Sequence, residues 1–212
     1  MHIAIIGASG FIGSALLAEA LMRGHQVTGL VRHPARLEAH PRLTAQPCDV
    51  YASADLVPLL QGYDAVLVSL RGQGANDNGD HYMTGFRSIV QAARDAQVTR
   101  LLVVGGGGSL EVAPGLELLD APGFPEEHRG PAEGPREALK LLRSEAVLDW
   151  TMLCPGAVIA PGERTGRFRL GTDQLLVNDA GESRISVQDF ALAMIDELER
   201  PAHSRTRFTV GY

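Results

Sequence analysis

Residues 5–16 read IIGASGFIGSAL, with Gly7, Gly10 and Gly13 set three apart between a run of isoleucine and a run of small apolar residues. Glycine inside a regular element costs roughly 0.5–1 kcal/mol relative to alanine, because its backbone gives up more freedom on folding. Three at this spacing imply a backbone that something must approach closely. Upstream, residues 3–6 form a short apolar β-rich run. Downstream, residues 13–23 carry Leu16, Leu17, Ala20 and Leu21 at helical spacing and close at Gly24. The segment therefore reads as strand, tight turn and helix.

The composition sets the frame for that unit. The chain has 212 residues, 45% of them hydrophobic, enough for one well-buried core and marginal for two, so residues 1–212 are read as one domain. Its formal net charge of −6 argues against a polyanionic partner, since neutralising phosphates takes clustered Lys and Arg. Nucleic acid is not expected as a ligand. Cys48 and Cys154 form no C-x-x-C pair and the seven histidines are scattered, so neither a disulfide framework nor a metal site is expected. The first residues lack a basic leader and a cleavage-type site, and no window reaches the 18 or so apolar residues of a membrane span. The expectation is a cytoplasmic protein with no membrane partner.

Further along, apolar strands alternate with amphipathic helices. Strands are expected at Gln26–Val31, 43–46, 65–70, 101–104, 151–153 and 207–210, and helices at 55–60, 84–97, 137–145 and 187–200. The run AVLVSL at 65–70 is apolar throughout, as in a strand covered on both faces. In the helix at 84–97, Phe86, Ile89, Val90 and Ala93 share one side while Arg87, Gln91 and Arg94 share the other. Parallel neighbours need a crossover, and the helices supply it. The fold class is therefore α/β, a doubly wound, mainly parallel sheet with helices on both faces. Residues 105–135, dense in Gly and Pro, are read as irregular, either a functional lid or a cover for the sheet edge.

Within such a sheet the glycine turn acquires a chemical meaning. A strand, a glycine turn and a helix whose first amides are unpaired make an anion site for a dinucleotide pyrophosphate. The spacing here is G-x-x-G-x-x-G, a variant of the G-x-G-x-x-G fingerprint. Gly7 would permit the tight turn, Gly10 the close approach of phosphate and Gly13 the packing of helix on strand. Ser9, Phe11 and Ile12 belong to the same cofactor-binding turn. An NAD-selective site places an acid about 20 residues further on, whereas a 2′-phosphate wants arginine. Here the second strand runs into VRHPAR, with Arg32 in place, Arg36 behind it and no acid before Glu38, which favours NADP. Asp49 and Val50 close the third strand, within reach of an adenine edge. Ser69, Leu70 and Arg71 close the fourth, at the carboxyl ends where such folds bind ligands.

GASGFIG, LVRHP, CDV, VTRLLVVGGGGSLEV and LDWTMLCPGAVIAPGERTG together resemble the atypical short-chain dehydrogenase/reductases. The likeness is nearest to the single-domain NAD(P)H-binding group with NmrA-like and biliverdin/flavin-reductase-like members, and it runs through ISVQDFALAMIDELE to RFTVGY. It implies a Rossmann fold and bound NADP, with the nicotinamide between Gly107–Ser109 and Pro155, Gly156, Ala157 and Val158. The wider superfamily uses a Tyr with a Lys four residues later, but GPREALKLLR offers Arg136 and Lys140 instead. Flavin-reductase-like relatives place a Ser after the fifth strand and a His after the sixth; those places look like Gly107 and Ala157. Ser109, offset by two, is the catalytic candidate.

Two activities fit this reading. One is an NADPH-dependent reductase passing hydride to a small-molecule acceptor, such as a flavin or quinone, that needs no dedicated protein acid. The other is a non-catalytic NADP-binding redox sensor of the NmrA-like kind. Sugar-nucleotide epimerase chemistry fits less well, since it needs the missing Tyr and a larger substrate lobe. A monomer or a homodimer is expected. His81 and Tyr82 before the long helix, His128 in PEEHRG, and the alternating Arg164, Arg167 and Arg169 are secondary candidates for contact with cofactor or substrate; each also reads as an ordinary surface position. Trp150 reads as a core residue.

Overall fold

The computed structural model describes residues 1–72 and 79–212. In chain order its strands are β1 (His2–Ile6), β2 (Gln26–Val31), β3 (Leu43–Pro47), β4 (Ala65–Val68), β5 (Arg100–Val104), β6 (Glu111–Ala113), β7 (Leu116–Glu117), β8 (Asp149–Pro155), β9 (Val158–Ala160), β10 (Arg169–Gly171), β11 (Arg184–Ser186) and β12 (Thr206–Gly211). Its α-helices are α1 (Phe11–Met22), α2 (Ser53–Leu60), α3 (Asp80–Asp95), α4 (Glu126–Arg143) and α5 (Val187–Glu199). Eight strands form the main sheet in the order β3-β2-β1-β4-β5-β8-β12-β10, every pairing parallel except the antiparallel β10 edge. The order reverses beside β1, between β2 and β4. At such a switch point the chain leaves a crevice at the carboxyl ends of the strands.

Alternation along each strand explains why the strands are apolar throughout. Ile3 and Ile5 point into one layer with Leu16, Leu17 and Ala20 of α1 and Phe190, Met194 and Ile195 of α5. Ala4 and Ile6 point into the other with Leu56 and Leu60 of α2, Phe86 and Ile89 of α3, and Leu139 and Leu142 of α4. Both layers are dry, so a polar residue on either face of β1 or β4 would need a buried partner. Trp150 is buried in the second layer, as expected. The fold is thus the expected doubly wound α/β sheet.

Several local expectations need correction. The long helix α3 begins at Asp80, four residues before the expected start, after Gly79 in the left-handed region at φ +91°. Residues 105–135 are more ordered than their Gly and Pro content suggests. They hold short 3-10 turns at Gly107–Ser109 and Leu118–Asp120, the antiparallel β6–β7 hairpin and the first half of α4. Pro131 and Pro135 lie inside that helix and each removes a backbone donor. Tertiary packing outweighs the loss: a Cβ on Gly134 would sit 2.6 Å from the Tyr82 ring, so glycine lets α4 press directly on α3. Arg136, held within α4 by Glu133 at 2.6 Å, then ties the helix to Asp120 of the 3-10 turn at 2.7 Å and to Glu117 of the hairpin at 3.4 Å.

The alternating arginines do not form one strand. Only Arg169 enters β10, where it donates to the carbonyls of Val177 and Tyr212. Arg164 instead donates two 2.8 Å bonds to Glu19 of α1. Among the described residues, no helix is long and apolar enough to cross a membrane.

Candidate functional site

The turn between β1 and α1 is built by steric necessity. Gly7 has φ +81°, and a Cβ there would lie 2.2 Å from the Ser69 carbonyl oxygen. Its amide donates to Leu30 O at 2.9 Å, and its carbonyl accepts from the Gly10 amide at 2.9 Å. A Cβ on Gly13 would lie 2.0 Å from the Gly7 oxygen, so only glycine lets α1 start so close to the turn. Gly10 caps the helix without any side-chain acceptor, and the Ser14 amide is the first to bond back, to Gly10 O at 2.8 Å. The amides of Phe11, Ile12 and Gly13 precede the intrahelical ladder. They lie at the positive end of the α1 dipole, a place suited to a diphosphate.

These amides border a cleft of about 420 Å³ at the switch point. Gly7, Ser9, Gly10 and Phe11 form its floor; Arg32 after β2, Asp49 and Val50 after β3, and Ser69, Leu70 and Arg71 after β4 form its walls. Four separate strand ends thus bring ten of the expected cofactor residues to one place. Ile12 packs instead against the α1–α5 layer, and Gly13 is buried beneath the turn. Sequence reasoning missed His33 and Tyr51, which also line the cleft, and left His81 as a surface residue. The rings of Tyr51 and His81 stack with centroids 4.3 Å apart, joining the β3 end to the start of α3. No local pattern links positions thirty apart, so this wall had no sequence signal.

The electrostatics of the cleft are lopsided. Arg32, Arg36 and Arg71 line it, and among the described residues none of the three has an ion pair, whereas ten other arginines do. Asp49 is the one carboxylate in the lining among the described residues, and its Oδ1 accepts the Tyr51 amide at 3.0 Å. Burial, with Asp49 adding to it, pushes the neighbouring Cys48 thiol up to about 11, so it stays neutral. A glycine cradle, free helix amides and three uncompensated guanidiniums fit a phosphate-rich dinucleotide.

The residues expected around a nicotinamide lie next along the sheet edge. The Gly107 turn packs on the end of β8, where a Cβ would meet the oxygens of Pro155 and Gly156 at 3.0 Å. The Gly156 amide is tied to Val210 O at 3.1 Å, and the Ala157 amide donates to Ser183 Oγ at 3.0 Å. Ala157 and Val158 line a second cavity of about 560 Å³, which shares no residue with the first.

Ser109 is not presented to either cavity. It is buried, its hydroxyl donates to Gly106 O at 3.2 Å, and Arg207 Nη1 donates to both its carbonyl (2.7 Å) and its hydroxyl (3.2 Å). Arg207 is held in turn by Asp173, so Ser109 is part of a buried polar brace between β5, β12 and the β10 edge. Tyr82 is no substitute donor: burial pushes its phenol pKa far up, and among the described residues its hydroxyl has no partner.

Comparison with known proteins agrees with this geometry. The family model described as NAD(P)H-binding matches residues 7–198. The YwnB protein of Bacillus subtilis is 40% identical over 216 residues, covering 99% of this chain and 98% of that protein. A candidate epimerase from Bacteroides thetaiotaomicron superposes with a TM-score of 0.93 at 42% identity, covering 100% of this chain and 96% of that one. A candidate NADH-flavin reductase from Streptococcus pneumoniae superposes with a TM-score of 0.87 at 33% identity, covering 100% and 99%. The chain therefore belongs to the NAD(P)H-binding family.

Proposed function

We propose that the protein is an NADPH-dependent oxidoreductase that delivers hydride to a small acceptor such as a flavin or quinone, working as a monomer or homodimer. The observation that carries the cofactor choice is the arginine pair at the end of β2: Arg32 and Arg36 line the cleft, and among the described residues no acid forms an ion pair with either. A carboxylate at that place would accept ribose hydroxyls and repel a 2′-phosphate; guanidiniums do the reverse. Bound dihydronicotinamide supplies the hydride. The chain's own part is to seat the diphosphate on the α1 amides, to hold the 2′-phosphate with Arg32, and to direct the nicotinamide toward the ends of β5 and β8. The name borne by the Streptococcus pneumoniae relative supports a reductase reading.

A second reading, an NADP-responsive regulator without turnover, is favoured by a specific observation. The hydroxyls of Ser109 and Tyr82 are buried, and Arg136 and Lys140, standing where the Tyr and Lys would be, are engaged by Glu133 and Glu137. An acceptor that collects its proton from water reconciles these facts with catalysis. Steady NADPH oxidation with riboflavin, FMN or menadione is the expected result. Tight NADPH binding with no oxidation across that panel would replace the reductase by the regulator, and epimerase chemistry would show as isomerisation without net cofactor consumption.

A further inference from the structure

The second cavity has a chemistry unlike the first. Leu118, Pro122 and Phe124 form one wall, Ala157 and Val158 the other, and among the described residues His128 of the first turn of α4 is its only titratable lining residue. Val158 is 57% exposed, an apolar side chain left open at the strand end. Among the described residues no Lys, Arg, Asp or Glu lines this space. Arg129, which follows His128, is used elsewhere: it lies over the Phe124 ring at 5.7 Å, bonds Glu126 at 3.0 Å and donates to Leu119 O at 2.8 Å. Glu126 and Glu127 flank His128 on the exposed side.

We propose that this cavity is the acceptor site, that its ligand is an uncharged planar ring bearing carbonyl groups, and that His128 anchors the ring by a hydrogen bond to one of them. The proposal rests on the reductase reading for its hydride donor, since the cavity begins at Ala157 and Val158, beside the expected nicotinamide. Volume and lining suit a bicyclic or tricyclic ring: sites for small molecules span roughly 300–1,000 Å³ and are mostly apolar with a few polar anchors. Proline and phenylalanine walls favour flat faces. The charge pattern supplies the selectivity. Phosphates have three guanidiniums in the first cleft with no ion pair among the described residues, whereas beside this cavity Arg129 is already paired with Glu126, and Glu127 adds a negative charge. A quinone or the bare isoalloxazine of riboflavin fits; FMN, with the same ring and a phosphate, binds more weakly.

Equilibrium titrations of the whole protein, with and without NADP⁺, would test this by riboflavin fluorescence and by calorimetry with menadione. Riboflavin and menadione are expected to bind, with riboflavin at least about tenfold tighter than FMN. Ala121→Trp, which fills the cavity from its wall, should weaken both ligands by about tenfold or more while NADPH affinity stays at the wild-type value. His128→Ala, at an exposed position that leaves the fold intact, should weaken them by roughly fivefold, the loss of one hydrogen bond. Equal affinity for FMN and riboflavin, unchanged binding in Ala121→Trp, or no binding of either ring to wild type would each overturn the proposal. NADPH titration of the same samples separates the two ideas: its failure would remove the cofactor reading, and ring binding is scored independently of it.

Discussion

Replacing Gly13 by alanine separates what the glycine turn does for the fold from what it does for the cofactor. The new Cβ would lie 2.0 Å from the Gly7 oxygen, 2.8 Å from the Gly7 carbonyl carbon and 3.2 Å from the Ala8 Cα, all backbone atoms. Ordinary contact needs well over 3 Å, so α1 must move away from β1 by an ångström or more. Such overpacking typically costs about 1–3 kcal/mol. Alanine returns up to about 1 kcal/mol of helix propensity. The net loss is up to about 3 kcal/mol, which for a chain of this length lowers Tm by up to roughly 12 °C. The displaced amides should weaken NADPH binding by tenfold or more, read by quenching of Trp150 or by NADPH fluorescence. Gly10→Ala is the control. Its Cβ would be 3.3 Å from Gly7 O, tight but accommodated, and it would stand where the diphosphate must lie. Gly10→Ala should therefore lose only the roughly 1 kcal/mol of a poorer N-cap, about 2–4 °C in Tm, and still lose NADPH affinity. If Gly13→Ala keeps both its Tm and its affinity, the close approach of α1 to the turn is unnecessary; if Gly10→Ala binds NADPH normally, the diphosphate does not sit on α1.

Other outcomes follow from the same geometry. Arg32→Glu should weaken NADPH by one to two orders of magnitude, as expected for a charge-assisted bond to phosphate, and leave NADH unchanged or improved; equal effects on the two cofactors would remove Arg32 from the 2′-phosphate site. Glu19 is nearly buried, and the hydrogen bonds from Arg164, opposed by burial and helped by Arg23, hold its carboxyl below the usual 4.5. Its folded pKa being depressed, the stabilisation is complete above about pH 4.5 and is lost as the pH falls through the lower folded value. Melting curves from about pH 6 to 3 should therefore fall less steeply for Glu19→Gln than for wild type, and parallel curves would contradict the pairing. Tyr82→Phe removes a buried hydroxyl with no partner among the described residues and should leave Tm equal or slightly higher, with NADPH affinity intact. A drop of more than about 1 kcal/mol would reveal a partner for that hydroxyl.

The legible parts of the chain are those whose signal is local. Gln26–Val31 is legible to the residue because every side chain after Gln26 is apolar or small and Gly24 marks the preceding helix end at φ +85°. The β6–β7 hairpin and the β9–β11 pair escaped because strands of two or three residues carry no periodicity; they exist through partners elsewhere, as Val158 pairs with Arg184. The first half of α4 escaped because Pro131 and Pro135 are helix breakers by every local criterion. Helix formation there depends on Tyr82 receiving Gly134 and on Arg136 reaching the hairpin. The same division runs through the candidate site. Arg32 and Asp49 could be placed by counting from the glycines, while Ser109 could not be judged without Arg207, which reaches it from the other end of the chain.

By itself, then, the sequence determined the strand–turn–helix at IIGASGFIGSAL, the two-layered α/β architecture and the nucleotide end of the cleft. Each of these is written in spacing within about thirty residues, where backbone sterics and side-chain alternation act directly. Tertiary structure alone decided the rest: the Tyr51–His81 wall, the burial of Ser109 and Tyr82, and the separation of a cationic cleft from an uncharged cavity. Those features depend on which strand ends the parallel sheet sets side by side, and that order is fixed by long-range packing that no single segment encodes.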